Sequence, residues 1–229
     1  MSICGREKGA GGYSLMGATL MATIDVMKNG PYVVKDIQTF TNSHQQQLPL
    51  KPVMTLCRCG HSSGKPFCDG THGKIGFSDE KLPGRVPQER REFPGKKITI
   101  LDNESVCSHA GFCDGGLPDV FWKFEGGKRI PHPDAASQEK IMERIKLCPS
   151  GALRYKLKGK MDDQADRQPG LTVSRNGPYY VVGSPELKDE INSRPDSAEH
   201  YTLCRCGASK NKPFCDGSHG KVKFKDGNN

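Results

Sequence analysis

Two groups of Cys and His share one spacing, C-x-C-x8-C-x3-H. The first is Cys57, Cys59, Cys68 and His72; the second is Cys204, Cys206, Cys215 and His219. Three soft thiolates and an imidazole, carried on Gly- and Pro-rich loops, can close around one metal centre. A Cys-x-Cys bend puts two sulfurs on one iron. Cys and His four residues apart can face the same way across a helical turn. Asp69 and Asp216 can cap that turn, and Gly70 and Gly217 let the backbone approach inorganic sulfide. Structural zinc is the competing metal for a Cys3His set, although its cysteines are usually spaced more widely than Cys-x-Cys. A buried Cys pair with a surface His is the non-metal alternative, and two copies in register argue against it.

A third group is Cys107-x5-Cys113-x34-Cys148, followed by Pro149. Three cysteines suit a 3Fe-4S cluster, and a 4Fe-4S cluster needs a fourth ligand. His109 beside Cys107 is a candidate for it, with a plain loop residue as the alternative. Loss of this cluster altogether is also open, because three Cys say less than four. Cys4 has no partner nearby in the sequence and reads as a bystander.

The elements that position these residues are duplicated. Asn29-Gly30-Pro31-Tyr32 recurs as Asn176-Gly177-Pro178-Tyr179, an offset of 147. The same offset relates residues 54–77 to 201–224, where 17 of 24 positions are identical without a gap. Such agreement means a duplicated module. Thr23–Val26, Tyr32–Val34 and Tyr179–Val182 read as strands, the last two after Gly-Pro turns. Between the copies lies an unrelated segment with candidate strands at Lys97–Leu101 and Leu153–Leu157. A helix capped by Asp134 is predicted to run to Leu147, with Ile141, Ile145 and Cys148 on its inner face and Met142 beside them. The chain therefore divides into a flexible N-terminal extension (1–21), a first repeat (22–83), an insert (84–160), a linker (161–169) and a second repeat (170–229).

Composition limits what can hold this together. Of 229 residues, 27 are Gly and 16 are Pro, hydrophobic residues are 34%, and the mean hydropathy is −0.64. One large apolar core is not expected; small modules held by metals are. The net charge is +8 with a pI near 9.0, which invites a nucleic-acid partner. The basic residues are scattered, however. The tightest group, Lys156, Lys158 and Lys160, reads as one face of a strand, and a single Trp offers little stacking. Bound clusters would lower the formal charge to about +4. No nucleic-acid partner is expected. The N-terminal stretch is too interrupted for a signal peptide, and no apolar run reaches membrane length. The expectation is a cytoplasmic, reducing setting, no membrane, and Cys clusters that mean metal.

Cys57 to His72 and Cys204 to His219 resemble the CDGSH iron-sulfur domain of the mitoNEET family. Ser62, Pro66 and Cys68-Asp69-Gly70-Thr71-His72 meet its pattern, as do Ser209, Pro213 and Cys215-Asp216-Gly217-Ser218-His219. The resemblance implies a 2Fe-2S cluster on three Cys and one His in each repeat. Cys57 and Cys59 would hold the inner iron and Cys68 and His72 the outer one, with the same order in the second repeat. Single-repeat members are dimers, so two repeats imply an intramolecular pseudo-dimer with a shared β-sandwich, and a monomeric chain. The insert departs from simple tandem members, and the missing transmembrane helix departs from the anchored ones. Cys107–Cys113, Leu117–Phe121 and Cys148–Leu153 resemble small single-cluster bacterial ferredoxins, except that Ala110 stands where a further Cys is usual. The expected fold is thus β-rich α+β with a small ferredoxin-like α+β insert.

The chain shows no nucleophile with a base, no phosphate loop and no substrate-pocket signature, so an enzyme is not expected. One-electron transfer or redox sensing is the leading function, with a redox partner protein. A neutral imidazole in place of a thiolate raises the cluster potential. Storage and delivery of clusters to an apo-acceptor is the alternative. A zinc-stapled interaction module and a subunit of a larger oxidoreductase are further readings.

Overall fold

The computed structural model describes residues 21–161 and 165–227. The N-terminal extension up to residue 20, with Cys4, and residues 162–164 of the linker lie outside the described residues.

The first repeat forms β1 (Thr23–Val26), β2 (Tyr32–Lys35), β3 (Thr39–Thr41), β4 (Val53–Leu56) and the short helix α1 (Thr71–Lys74). The insert forms β5 (Arg91–Pro94), β6 (Thr99–Asp102), α2 (Pro118–Phe121), β7 (Phe124–Glu125), β8 (Lys128–Arg129), α3 (Gln138–Lys146), β9 (Leu153–Leu157) and β10 (Lys160–Met161). The second repeat forms β11 (Gly170–Val173), β12 (Tyr179–Val182), β13 (Glu186–Lys188), β14 (His200–Leu203) and α4 (Ser218–Lys221). The result is a β-rich α+β fold.

The repeats exchange strands. One sheet runs β13-β1-β2-β4 and the other β14-β12-β11-β3. The lent strands pair in parallel, Ile24 opposite Leu187 and Leu171 opposite Phe40. Alternation along β1 and β2 buries Ile24, Val26, Tyr32 and Val34. These meet Phe40, Leu56, Leu171, Val173, Tyr179, Val181 and Leu203 in one core. Full burial of a side chain such as Phe40 is worth about 1.5–3 kcal/mol. The expectation of small modules without a sizeable core is therefore corrected. Each repeat alone is poor in apolar residues, but strand exchange pools both sets.

The insert builds its own antiparallel sheet, β10-β9-β6-β5. Ile141 and Ile145 of α3 pack with Ile98, Ile100, Val120, Phe121, Leu153 and Tyr155. Two sequence expectations change here. Ser137, not Asp134, caps α3, its hydroxyl accepting from the Lys140 amide. Asp134 instead accepts from the Lys96 amide across the insert, at 2.9 Å. Lys156, Lys158 and Lys160 do not share one strand face. Lys158 has φ 48° in the tight turn joining β9 to β10, with Gly159 beside it, so the run folds back as a hairpin. The insert also joins the repeats' core through Val106, Cys107 and Ala152. Cys148 faces inward as expected and packs against both cores.

Candidate metal centres

Strand β4 delivers Cys57, and the loop beyond it is folded back by a bridge between Leu56 and Phe67. Reciprocal backbone bonds close it: the Cys57 amide to Pro66 O at 2.8 Å and the Cys68 amide to Thr55 O at 2.9 Å. Ser62 donates to Phe67 O at 2.6 Å and staples the loop across. The second repeat copies each device, with Leu203–Phe214, Cys204 to Pro213 O at 2.8 Å and Ser209 to Phe214 O at 2.7 Å. This explains why Ser62, Pro66, Ser209 and Pro213 accompany the ligand residues.

Within each loop the donors form two pairs. Cys57 and Cys59 Sγ lie 3.9 Å apart, as do Cys204 and Cys206. Two thiolates on one tetrahedral metal, with bonds of about 2.3 Å, stand ~3.8 Å apart. Cys68 Sγ is 3.4 Å from His72 Nδ1, and Cys215 Sγ is 3.4 Å from His219 Nδ1. The amides of Gly70 and Gly217 donate to Cys68 and Cys215 Sγ at 3.5 and 3.4 Å. Asp69 and Asp216 do support the turn, each accepting from the amide two residues on, at 3.0 Å. The helix caps themselves are Gly70 and Gly217, in left-handed conformation.

The chemistry of these pairs suits a metal cluster. Burial pushes Cys59 up to about 11. In the second pair the shared hydrogen bond lowers Cys204 and raises Cys206. Two thiolates at 3.9 Å, both buried, need positive charge between them.

Each repeat also pins the other's ligand loop. Tyr32 donates to Cys204 O and Pro213 O, at 2.9 and 3.1 Å. Tyr179 donates to Cys57 O and Pro66 O, at 2.9 and 3.0 Å. The two C-x-C-G bends touch, since a Cβ on Gly60 would lie 2.7 Å from Cys206 O and one on Gly207 2.5 Å from Cys59 O. Behind the bends sit ion pairs. Arg58 reaches Asp79 at 2.9 Å and Met27 O at 3.1 Å. Arg205 pairs with Asp226 and donates to Gly177 O and Ser174 O, both at 2.8 Å. Motif reading missed Tyr32, Tyr179, Arg58, Arg205, Asp79 and Asp226. Their shared offset of 147 was the available signal.

We expect Tyr32→Phe to destabilise the second ligand loop, and Tyr179→Phe the first, by about 1–3 kcal/mol each, because Cys204 O and Cys57 O lose their donor while Pro213 O and Pro66 O keep their amide partners. Metal-release rates from each loop in each variant check this. Faster release from the variant's own repeat would contradict it.

In the insert, Cys107, Cys113 and Cys148 line one cavity of about 290 Å³, with His109, Phe121, Trp122, Arg129 and Ser150 around them. Burial pushes Cys107 up to about 11 and raises Cys113 as well. Arg129 brings positive charge, its Nη1 lying 3.9 Å from Cys113 Sγ. Burial works against that charge, but Asp102 holds it through bonds of 2.5 and 3.1 Å. Asp102 and Arg129 were not singled out by sequence, because this pair joins β6 to β8 with no local motif. His109 lines the cavity, has φ 53°, and lays its ring over Gly217 of the second repeat.

The comparisons follow this geometry. Residues 29–73 and 176–220 each match the family described as iron-binding zinc finger, CDGSH type. Residues 93–158 match the divergent 4Fe-4S mono-cluster family. The uncharacterized protein YjdI of Escherichia coli K12 is 36% identical over 70 residues, 30% of this chain and 87% of its own. A CDGSH iron-sulfur domain-containing protein 2 homolog of Drosophila erecta is 44% identical over 45 residues, 20% of this chain and 33% of its own. No solved structure matches. The fold and sites define an iron-sulfur protein. The chain belongs to the CDGSH iron-sulfur domain proteins, with a divergent 4Fe-4S domain inserted between its two CDGSH domains.

Proposed function

We propose that this chain is a one-electron carrier or redox sensor, not an enzyme. Cys57, Cys59, Cys68 and His72 hold one 2Fe-2S cluster, and Cys204, Cys206, Cys215 and His219 hold another. Cys107, Cys113 and Cys148 hold the third. The observation that carries this is the paired donor geometry, two sulfurs at 3.9 Å beside a Cys–His pair at 3.4 Å, built identically in both repeats. Clusters supply reversible one-electron chemistry when bound. The protein's part is to fix their ligands, bury the inner thiolates and balance charge.

For the third site the match to a 4Fe-4S family favours that cluster on three Cys. A fourth iron without a Cys ligand is easily lost, which gives the 3Fe-4S form. His109 is the candidate fourth ligand from this chain. Arg129, beside Cys113, offsets thiolate charge and favours a higher potential. The exchanged strands and common core support an intramolecular pseudo-dimer with a β-sandwich, acting as a monomer toward a redox partner protein. Among the described residues no helix is long and apolar enough to cross a membrane. A reducing compartment such as the cytoplasm suits the nine free thiols among the described residues.

The double variant His72→Cys with His219→Cys tests ligation in both repeats. An added thiolate makes each cluster more negative, so both 2Fe-2S potentials should fall. Redox titration reads this, and unchanged potentials would mean that neither His is a ligand. Delivery of clusters to an apo-acceptor is the second reading. The half-exposed Cys68 and His72 favour it, because a cluster can leave only by an open edge.

A further inference from the structure

The two repeats are alike in sequence but not in surroundings. The loop over residues 64–70 is open, with Gly64 and Gly70 exposed and Cys68 only partly buried. The matching loop over residues 211–217 is covered, with Asn211, Lys212, Phe214, Cys215 and Gly217 all buried. The insert covers it at Asn211 and Gly217, and the first repeat's Phe77 ring lies 5.9 Å from Lys212 Nζ. Asn211 Nδ2 donates to Ser105 O at 2.9 Å. A Cβ on Gly217 would lie 2.1 Å from His109 Cδ2, whereas one on Gly70 would meet nothing within 4 Å. The sequence differs at one of these contacts. Asn211 replaces Gly64.

Contacts also join the repeats, but at the other end of each donor set. The bends carrying Cys59 and Cys206 touch through Gly60 and Gly207. From these contacts we infer that the three donor sets stand in a fixed order: insert, second repeat, first repeat. Cys215 and His219 face the insert, the inner bends face each other, and Cys68 and His72 face outward. The second set is internal, and the first repeat's Cys68–His72 edge is the one open to a partner protein. His109, the candidate fourth ligand of the third site, also seats the insert on Gly217. This order rests on the reading of the three sets as cluster sites.

Magnetic relaxation between centres tests the order. Cys59→Ser with Cys68→Ser leaves the second repeat and the insert loaded. Cys206→Ser with Cys215→Ser leaves the first repeat and the insert loaded. After dithionite reduction, the 2Fe-2S signal should need clearly more microwave power to saturate in the former, because the third centre is close. Equal saturation, or the reverse, overturns the order. The unaltered protein gives an independent measurement that needs no variant to fold. Under a chelator such as EDTA its two 2Fe-2S signals should bleach in separate phases, with the fast-relaxing one surviving. A single phase, or loss of the fast-relaxing signal first, overturns it.

A matched pair of substitutions isolates His109. Gly70 and Gly217 have φ 84° and 79°, so Ala strains both backbones alike. Only Gly217→Ala should weaken the relaxation effect and speed chelation of the second centre. Adding His109→Asn, which tolerates a left-handed φ, should remove the clash without restoring the coupling. Equal effects of the two Gly variants would contradict the contact. An iron-free preparation of the unaltered protein would sink the cluster reading itself. Three loaded centres with equal saturation would sink only their order.

Discussion

Arg205→Met is expected to cost the second repeat about 3–5 kcal/mol, because it breaks a fully buried ion pair. Arg205 and Asp226 are both 0% exposed at their side chains. Arg205 also donates to Gly177 O and Ser174 O and lies over the Tyr179 and Phe224 rings, at 5.6 and 5.0 Å. It stands between Cys204 and Cys206, so its loss should loosen the bend that carries both sulfurs. Arg58→Met should cost less. Asp79 is 11% exposed and keeps Lys28 at 3.3 Å. Denaturant midpoints of the loaded protein, followed by cluster absorbance, give the comparison. Equal losses in the two variants would contradict this account of the pairs.

Cys107→Ser and Cys148→Ser should each remove one centre and leave two. Cys107 lies in the repeats' shared core and Cys148 between the two cores, yet both face the insert's cavity. Serine keeps their size and removes the soft donor. Bound iron should fall by about half, since the third cluster holds three or four irons beside two in each repeat. The two 2Fe-2S signals should remain, with the second relaxing more slowly than before. Loss of all signals together would mean that the insert does not hold a centre of its own.

The sites were far more legible in the sequence than the fold. Eleven donor positions were named from spacing and duplication; the structure brings eight of them into four close pairs and lines one cavity with the other three. Strands β1, β2, β9 and β12 were visible because Ile, Val, Tyr and Leu alternate there or run together. Strands β3 and β13 were not. They are three residues each, one polar and one charged at both ends, and they form only because the other repeat offers an open edge. The pooled core was hidden for the same reason. Average hydropathy counts residues, not which repeat completes which sheet.

The cross-links between repeats follow that pattern. Tyr32 and Cys204 are 172 residues apart, and Tyr179 and Cys57 are 122 apart, so no local motif joins them. His109 was read against Cys107, its neighbour in sequence. Its ring also rests on Gly217, a contact that only the docked insert creates. Asp134 was read as a helix cap because it follows Pro133 directly. Ser137, nearer the first helical turn, does that work, while Asp134 ties the insert's helix approach to the β5–β6 turn.

Metal and sulfide analysis of the purified protein, with electron paramagnetic resonance before and after dithionite reduction, tests the central claim most directly. The account predicts iron and acid-labile sulfide in cluster proportion, zinc near zero, two His-ligated 2Fe-2S signals on reduction and a third, distinct centre. Colourless protein with stoichiometric zinc and no labile sulfide would contradict it.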